Sequence, residues 1–208
     1  MLRGFRLREI EHSGEKAQAP RVIDSTRKML WSQGMRPLTI IYVSTAPGAR
    51  TRGVLRAGPL AWRVALGRGG IRANKREGDG GTPRGTFRPV RLWWRADRSP
   101  RPVTALPVRR IASSDAWCEN PADGRYNQPI RVSNGRSGDR LYRDDHLYDF
   151  IVEIDHNTRP RVAGRGSAVF LHLARPGLAA TAGCVAMPRE RLRQLLRSLG
   201  SSTKINIR

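Results

Sequence analysis

The sequence predicts a β-rich α+β fold, built as a single domain with one helix near the C-terminus. Short apolar runs recur between clusters of Gly, Pro, Asn and Asp, which is the pattern of strands separated by turns. Leucines recur at helical spacing in one convincing stretch, close to the end of the chain. The 208 residues fit one domain, and a hydrophobic fraction of 38% with 27% charged residues excludes a disordered chain and a membrane protein.

The first elements are a strand, a hairpin and a long loop. Residues 38–44 (LTIIYVS) are apolar and β-branched, so they predict a buried strand. Residues 53–66 (GVLRAGPLAWRVAL) predict a hairpin that turns at Gly58-Pro59. Residues 67–85 contain seven glycines, and we expect a long loop there.

The middle of the chain alternates between strand-like and irregular segments. Residues 86–94 (TFRPVRLWW) predict a strand, and Pro89 places it at a sheet edge because proline cannot donate to a ladder. Residues 97–146 are rich in Pro, Asp, Asn, Gly and Ser and predict an irregular insertion. The remaining predicted strands, which bring the total to about six or seven, are 149–155, 167–173 and 203–208.

One helix is predicted directly before the last strand. Pro188 suits a first helical turn, and Gly200 suits a C-terminal stop. Between them an apolar stripe recurs at steps of three and four residues. The stripe consists of Leu192, Leu195, Leu196 and Leu199.

The N-terminal residues are set apart from this pattern. Residues 1–34 are expected to be an arm, either disordered or the product of an over-long gene start, and residues 35–208 form the domain. Charged residues interrupt the stretch where a secretory signal needs an apolar core. We therefore expect a cytoplasmic protein as the sequence is written, and a periplasmic or cell-envelope protein if it is exported otherwise or the start is misassigned.

The net charge of +22 favours an anionic partner. Nucleic acid, a carboxylate-rich small substrate and an anionic cell-wall polymer all fit, and so does a solvated surface without a dedicated partner. The sequence lacks the signatures of a helix-turn-helix, an RNA-recognition module or a zinc finger, so nucleic acid is the weaker expectation. No run of about 18 apolar residues is present, so no membrane span is expected.

The strongest chemical signal lies in residues 170–187 (FLHLARPGLAATAGCVAM). His172 falls within a predicted strand, and Cys184 follows behind Thr181-Ala182-Gly183. A catalytic cysteine needs a base or a cation nearby, and histidine is the natural base near neutral pH. The glycine lets the backbone turn sharply, so the N–H groups of Gly183 and Cys184 could hold an oxyanion. By spacing alone this signal is weak, because a lone cysteine is more often a small buried hydrophobic residue and a lone strand histidine is often only packed or hydrogen-bonded.

Two separated motifs resemble the YkuD-type L,D-transpeptidase domain. That family carries a histidine on a strand and then a Ser/Thr-x-Gly-Cys turn, which in this chain are His172 and residues 181–184 (TAGC). It also carries an upstream Thr-Pro-x-Gly-x-Phe segment, which in this chain is residues 82–87 (TPRGTF). The resemblance covers roughly residues 38–208 and implies a β-sandwich domain with the cysteine and the histidine in a cleft.

The resemblance implies an enzyme that acts on peptidoglycan stem peptides without a cofactor. Cys184 would attack the carbonyl of the third stem residue and release D-Ala as His172 moves the proton. An amine acceptor would give a 3→3 cross-link or D-amino-acid exchange, whereas water would give L,D-carboxypeptidation. The missing export signal favours the second outcome, in cytoplasmic recycling of muropeptides. Residues assigned to binding the substrate or orienting the histidine are Thr181, Leu173, Arg175 and His146.

The sequence departs from the family pattern at two positions. Many members have His where Ala182 stands and Arg where Ala186 stands. His172 is therefore the one motif histidine left to act as base, with His156 as a second choice. Arg175 or Arg189 could replace the family arginine. The two departures also keep open a non-catalytic module that binds peptidoglycan.

Other polar residues carry weaker signals. Cys118 is expected to be structural filler, and His146, His156, His172 and Cys184 lie at no metal-motif spacing, so no metal is expected. Lys75, Arg76 and Arg84 flank the glycine-rich loop, where phosphate binding is conceivable. The loop matches neither the Walker nor the dinucleotide fingerprint.

Overall fold

The computed structural model describes residues 37–132 and 138–208. The predicted arm at residues 1–34 lies outside these ranges. Within them the structure contains fifteen strands, one α-helix (α1, Arg189–Leu196) and one 3₁₀ turn (Pro176–Leu178). The strands are β1 (Ile40–Ala46), β2 (Ala49–Ala57), β3 (Leu60–Ala65), β4 (Ile71–Arg72), β5 (Thr82–Pro83), β6 (Gly85–Phe87), β7 (Pro89–Trp94), β8 (Val108–Arg110), β9 (Asp115–Trp117), β10 (Pro129–Arg131), β11 (Asp139–Arg140), β12 (Phe150–Ile154), β13 (Phe170–Leu173), β14 (Val185–Met187) and β15 (Lys204–Ile207).

Ten strands form one main sheet in the order β6-β15-β1-β2-β3-β14-β13-β12-β7-β8. The sheet folds over on itself, because residues of its two halves share one apolar core. Ile41 and Leu55 from one half belong to the same buried cluster as Leu92 and Val152 from the other. The result is the β-sandwich that the resemblance implies. Two small sheets, β10-β9-β11 and β4-β5, accompany the main sheet.

Strands β7, β12 and β13 are covered on both faces, since successive side chains of a strand point in opposite directions. One face joins the core that the buried leucines of α1 complete, namely Leu192, Leu195 and Leu196. The other face contributes Trp93, Ile151 and Phe170 to a second apolar cluster, which also includes Cys184. Burial of this second face places the cysteine at the edge of an aromatic core.

The hairpin and the helix lie where the sequence predicts them. Strands β2 and β3 pair antiparallel and turn at Gly58-Pro59. Helix α1 begins directly after Pro188, and its apolar stripe is buried. Both elements are local, so short-range sequence patterns are sufficient to predict them.

Residues 86–94 do not form one edge strand, and this prediction is wrong in a specific way. The run divides before Pro89: β6 pairs with β15 at one edge of the main sheet, and β7 lies between β12 and β8. Pro89 starts β7 at a point where the register with β12 shifts, so the missing N–H is tolerated there. The predicted strand count of six or seven was also too low, because strands of two or three residues have no visible periodicity.

In the parts of the chain that the structure describes, no helix is both long enough and apolar enough to cross a membrane.

Candidate active site

The pairing of β13 with β14 brings the predicted cysteine and histidine together. The two strands run parallel as neighbours in the main sheet, with His172 opposite Ala186. Cys184 directly precedes β14, two residues before Ala186. Both Cys184 and His172 line one cavity of about 640 Å³. The residues between them in sequence form the loop that closes one side of this cavity.

The turn before the cysteine is held by the hydroxyl of Thr181. Thr181 Oγ1 donates to the Cys184 carbonyl at 2.7 Å and accepts the Gly183 N–H at 3.1 Å. Gly183 adopts φ +151°, and a Cβ placed there would lie 2.9 Å from the Gly81 oxygen. Only glycine fits this position without displacing the glycine-rich loop packed against it.

The Cys184 thiol is a buried, neutral group in this structure. Sγ donates to the Ala168 oxygen at 3.2 Å and accepts the Phe170 N–H at 3.3 Å. Ala168 has φ +51°, which is uncommon for a residue with a side chain, and so its backbone is shaped around the sulfur. Burial raises the pKa of Cys184 to about 12; the Phe170 N–H counteracts this shift, and nearby carboxylates add to it.

The His172 ring has one nitrogen fixed and one left for chemistry. Nδ1 lies 2.8 Å from the Leu173 oxygen. A carbonyl oxygen can only accept, so Nδ1 carries a proton and Nε2 of the neutral ring has a free lone pair. Burial lowers the pKa of His172 to about 4, and the Leu173 oxygen partly offsets this shift. At neutral pH the ring is therefore in the state that a general base requires.

A comparison with known protein families identifies the domain. The family model of the YkuD L,D-transpeptidase catalytic domain matches residues 39–207. The chain belongs to the YkuD family. Neither the search of curated proteins nor the search of solved structures found a match to this chain.

The residues predicted to bind the substrate are divided between two cavities. Thr181 and Arg175 line the same cavity of about 640 Å³ as Cys184 and His172, which is the main cavity. Leu173 and His146 instead line an adjoining cavity of about 380 Å³, which also contains Arg175. His146 is exposed, and its Nδ1 lies 3.0 Å from Asp149 Oδ2. His146 therefore lies away from the cavity that the cysteine lines.

Two of the sequence predictions need correction, and one is confirmed. The Thr181 hydroxyl donates to the Cys184 carbonyl and accepts the Gly183 N–H, so it holds the turn before Cys184 and has no proton left to donate to a substrate. The Gly183 N–H donates to the same hydroxyl, so the predicted oxyanion site loses one of its two donors. The prediction that Leu173 orients the histidine is confirmed, because its backbone oxygen lies 2.8 Å from His172 Nδ1, although its side chain does not line the main cavity.

The other histidine and cysteine considered from the sequence lie elsewhere. The Nε2 atom of His156 lies 3.1 Å from the Arg165 oxygen, and this residue does not line the main cavity. Cys118 and Cys184 are both free thiols, so no disulfide blocks the candidate nucleophile. Within residues 37–132 and 138–208, no group of three or more His, Cys, Asp or Glu side chains is arranged to hold a metal ion.

The sequence did not reveal a pair of residues beside the histidine. The Tyr148 ring packs edge-on against the His172 ring, with centroids 5.3 Å apart, and the Tyr148 hydroxyl donates to Asp139 Oδ2 at 2.7 Å. Both residues line the cavity, and both come from the segment around the predicted irregular insertion. No spacing motif links this segment to Cys184, so only the fold could place it there.

The departures Ala182 and Ala186 also line the cavity. Their small side chains leave room where other YkuD members carry larger ones. The arginines of the cavity wall are Arg68, Arg143 and Arg175. Arg143 is paired with Asp139 and Asp145, whereas Arg68 and Arg175 are exposed at the rim.

Proposed function

We propose that this protein is a peptidoglycan L,D-transpeptidase in which Cys184 is the nucleophile and His172 the general base. Membership of the YkuD family supports activity of this class on peptidoglycan. The observation that carries the residue assignment is the shared cavity, which is lined by a neutral histidine on β13 and by the cysteine directly before its partner strand β14. A histidine with Nδ1 held by a backbone oxygen presents Nε2 as the base.

In the first step, Sγ attacks the carbonyl carbon that precedes the terminal D-Ala of a tetrapeptide stem. The S–C bond forms, the thiol proton moves to His172 Nε2, and the carbonyl electron pair moves to oxygen. The tetrahedral intermediate then collapses, the C–N bond breaks, and His172 returns its proton to the leaving amine. The products of this half-reaction are a thioester on Cys184 and free D-Ala.

In the second step an acceptor amine attacks the thioester. His172 takes a proton from the amine as the new C–N bond forms. The C–S bond then breaks, and His172 gives the proton to Sγ. A stem-peptide amine gives a 3→3 cross-link, and a free D-amino acid gives an exchanged tetrapeptide. Water in place of the amine would give a tripeptide, which is the carboxypeptidase reaction.

Arg175 is our candidate for binding a substrate carboxylate in place of the arginine absent at Ala186. It is exposed at the rim of the main cavity and shares the adjoining cavity with Leu147 and His146. A guanidinium can hold a carboxylate with two parallel hydrogen bonds. In this position it can reach a stem peptide that enters from either cavity.

Incubation with a disaccharide-tetrapeptide, followed by mass spectrometry, tests the proposal. We expect wild type to release D-Ala and to form a 3→3 dimer, or an exchanged product when a D-amino acid is added. Cys184→Ala should do neither, because it has no nucleophile. If wild type releases D-Ala and forms the tripeptide without any dimer or exchanged product, the activity is carboxypeptidation and not transpeptidation. An untouched tetrapeptide with wild type would contradict both reactions.

A further inference from the structure

Lys75 is a buried lysine that the proposed mechanism leaves without a role. It is 7% exposed and lines the same cavity as Cys184 and His172. A lysine is almost never this buried unless it is paired, because removing an ammonium group from water is costly. The residue belongs to the glycine-rich loop, which sequence patterns alone did not connect to the catalytic turn.

The stem of Lys75 runs between two glycines that leave space for it. A Cβ on Gly166 would lie 2.9 Å from Lys75 Cγ and 3.1 Å from Cε. A Cβ on Gly183 would lie 3.7 Å from the same Cε atom. Gly183 is the residue before the nucleophile, so the end of the lysine side chain lies beside the turn that presents Cys184.

The ammonium group of Lys75 is held by two hydrogen bonds and has a third N–H donor. Nζ donates to Asp79 Oδ1 and to the Arg76 oxygen, each at 2.6 Å. An ammonium has three N–H donors, and among the described residues the third finds no protein acceptor. The cation is therefore held in one place with a donor to spare for an anionic oxygen or sulfur.

Asp79 does not need Lys75 to hold the loop. Its carboxylate also accepts the Arg76 N–H at 2.8 Å and the Gly81 N–H at 2.7 Å. These backbone bonds close the loop around the carboxylate by themselves. A purely structural role would thus be met by a smaller neutral side chain at position 75, without the cost of burying a charge.

The reaction at Cys184 has a need that this cation meets. Negative charge develops first on Sγ and then on the substrate oxygen, while the Gly183 N–H is occupied by Thr181. The carboxylates of Glu119 and Asp139 raise the pKa of the thiol beyond the effect of burial, and Lys75 lowers it. In a buried site, a fixed positive charge stabilises such states far more than it does in water.

We propose that Lys75 is a catalytic residue whose ammonium group stabilises the negative charge on Cys184 Sγ and on the oxyanion that follows. The inference rests on the proposed nucleophile, and it assigns the electrostatic part of the reaction to the glycine-rich loop. The proton of the thiol goes to His172, and the lysine supplies charge alone.

Rates of alkylation of Cys184 test this role without a peptidoglycan substrate. Wild type and Lys75→Met are treated with iodoacetamide over a range of pH, and peptide mapping separates Cys184 from Cys118. Methionine keeps an unbranched stem between the glycines and removes the charge. Because the pKa of the thiol is about 12, the rate is compared between about pH 7 and pH 9, where it follows the thiolate fraction. We expect the alkylation rate of Cys184 at a given pH to fall by about tenfold in Lys75→Met. Lys75→Arg should stay closer to wild type.

Asp79→Asn should change the rate in the opposite direction. It frees the lysine from its counter-charge and keeps an amide oxygen that can accept a loop N–H, so the alkylation rate at a given pH should rise. The double variant Lys75→Met/Asp79→Asn separates loss of the cation from the carboxylate left unpaired in Lys75→Met, and its rate should still lie below that of wild type. Arg68→Met removes one charge from the exposed rim of the same cavity, where solvent screens it, and should change the rate far less.

Turnover completes the test. With the disaccharide-tetrapeptide we expect Lys75→Met to lower kcat for D-Ala release by roughly 10²-fold, with a much smaller change in KM. The inference is overturned if Lys75→Met and Asp79→Asn both keep the wild-type alkylation profile, or if Lys75→Met changes KM alone. If Lys75→Met does not fold, the direction of the rate change in Asp79→Asn decides. A wild type that alkylates as expected but releases no D-Ala would contradict the proposed function and leave the role of Lys75 at the thiol standing.

Discussion

The Nδ1 atom of His172 lies 2.8 Å from the backbone oxygen of Leu173, the next residue along β13. This contact determines the tautomer, because the carbonyl accepts the Nδ1 proton and leaves Nε2 unprotonated in the neutral ring. It also holds the ring orientation without a carboxylate partner. In the proposed reaction, this neutral oxygen would stabilise the imidazolium form of His172.

His172→Gln should therefore remove most of the activity and leave the fold intact. Glutamine can still donate a hydrogen bond but cannot take a proton from the thiol, so D-Ala release should fall by about 10²–10⁴-fold. The exposed His146 provides a control: His146→Gln should keep a rate near that of wild type. Equal rates in His172→Gln and wild type would rule out His172 as the base.

The Cys184 thiol should make the folded state less stable at alkaline pH. Folding raises the pKa of this thiol from 9.0 to about 12. Below about pH 9 the thiol is protonated in both the folded and the unfolded state, and as the pH rises toward 12 the unfolded state loses the proton first, so the free energy of unfolding falls. Subtracting the unfolding free energy of Cys184→Ala from that of wild type isolates the thiol. The difference should fall by up to about 1.4 kcal/mol per pH unit above pH 9. A flat difference between about pH 8 and pH 10.5 would show that the thiol titrates normally.

Gly183→Ala should lower both stability and activity. The new Cβ would lie 2.9 Å from the Gly81 oxygen at φ +151°, so the catalytic turn or the glycine-rich loop has to move, at a cost of about 1–3 kcal/mol. Gly177→Ala is a matched control in the loop between His172 and Cys184, since its φ is +69° and nothing lies within 4 Å of the new Cβ. Thermal unfolding should detect a loss in both variants. D-Ala release should drop in Gly183→Ala alone, and an equal drop in Gly177→Ala would contradict an effect specific to the catalytic turn.

Arg175→Met should weaken binding of the substrate more than it slows the chemistry. Loss of a charged hydrogen bond to a carboxylate costs about 1.5–3 kcal/mol, which corresponds to a rise in KM of roughly ten-fold or more. Arg63, exposed on β3, offers a control of equal charge, and Arg63→Met should keep the wild-type KM. An unchanged KM in Arg175→Met would assign the carboxylate to another cation of the cavity.

The local elements of this protein are determined by the sequence itself. The hairpin at Gly58-Pro59 and the leucine stripe of α1 follow from turn chemistry and helical periodicity, which act over a few residues. The segment with His172 and Cys184, together with the upstream motif at residues 82–87, was also sufficient to predict the family, which the family model confirms. These features need no knowledge of which strands become neighbours.

The tertiary structure alone decided how the site is assembled. The parallel pairing of β13 with β14 puts His172 opposite Ala186, and the glycine-rich loop brings Lys75 to the Gly183 turn. The same long-range pairing sends β6 and β7 to different positions in the sheet although they adjoin in sequence. Such contacts depend on the free energy of the whole folded chain, because strand pairing and burial of residues far apart leave no periodic pattern in either segment by itself.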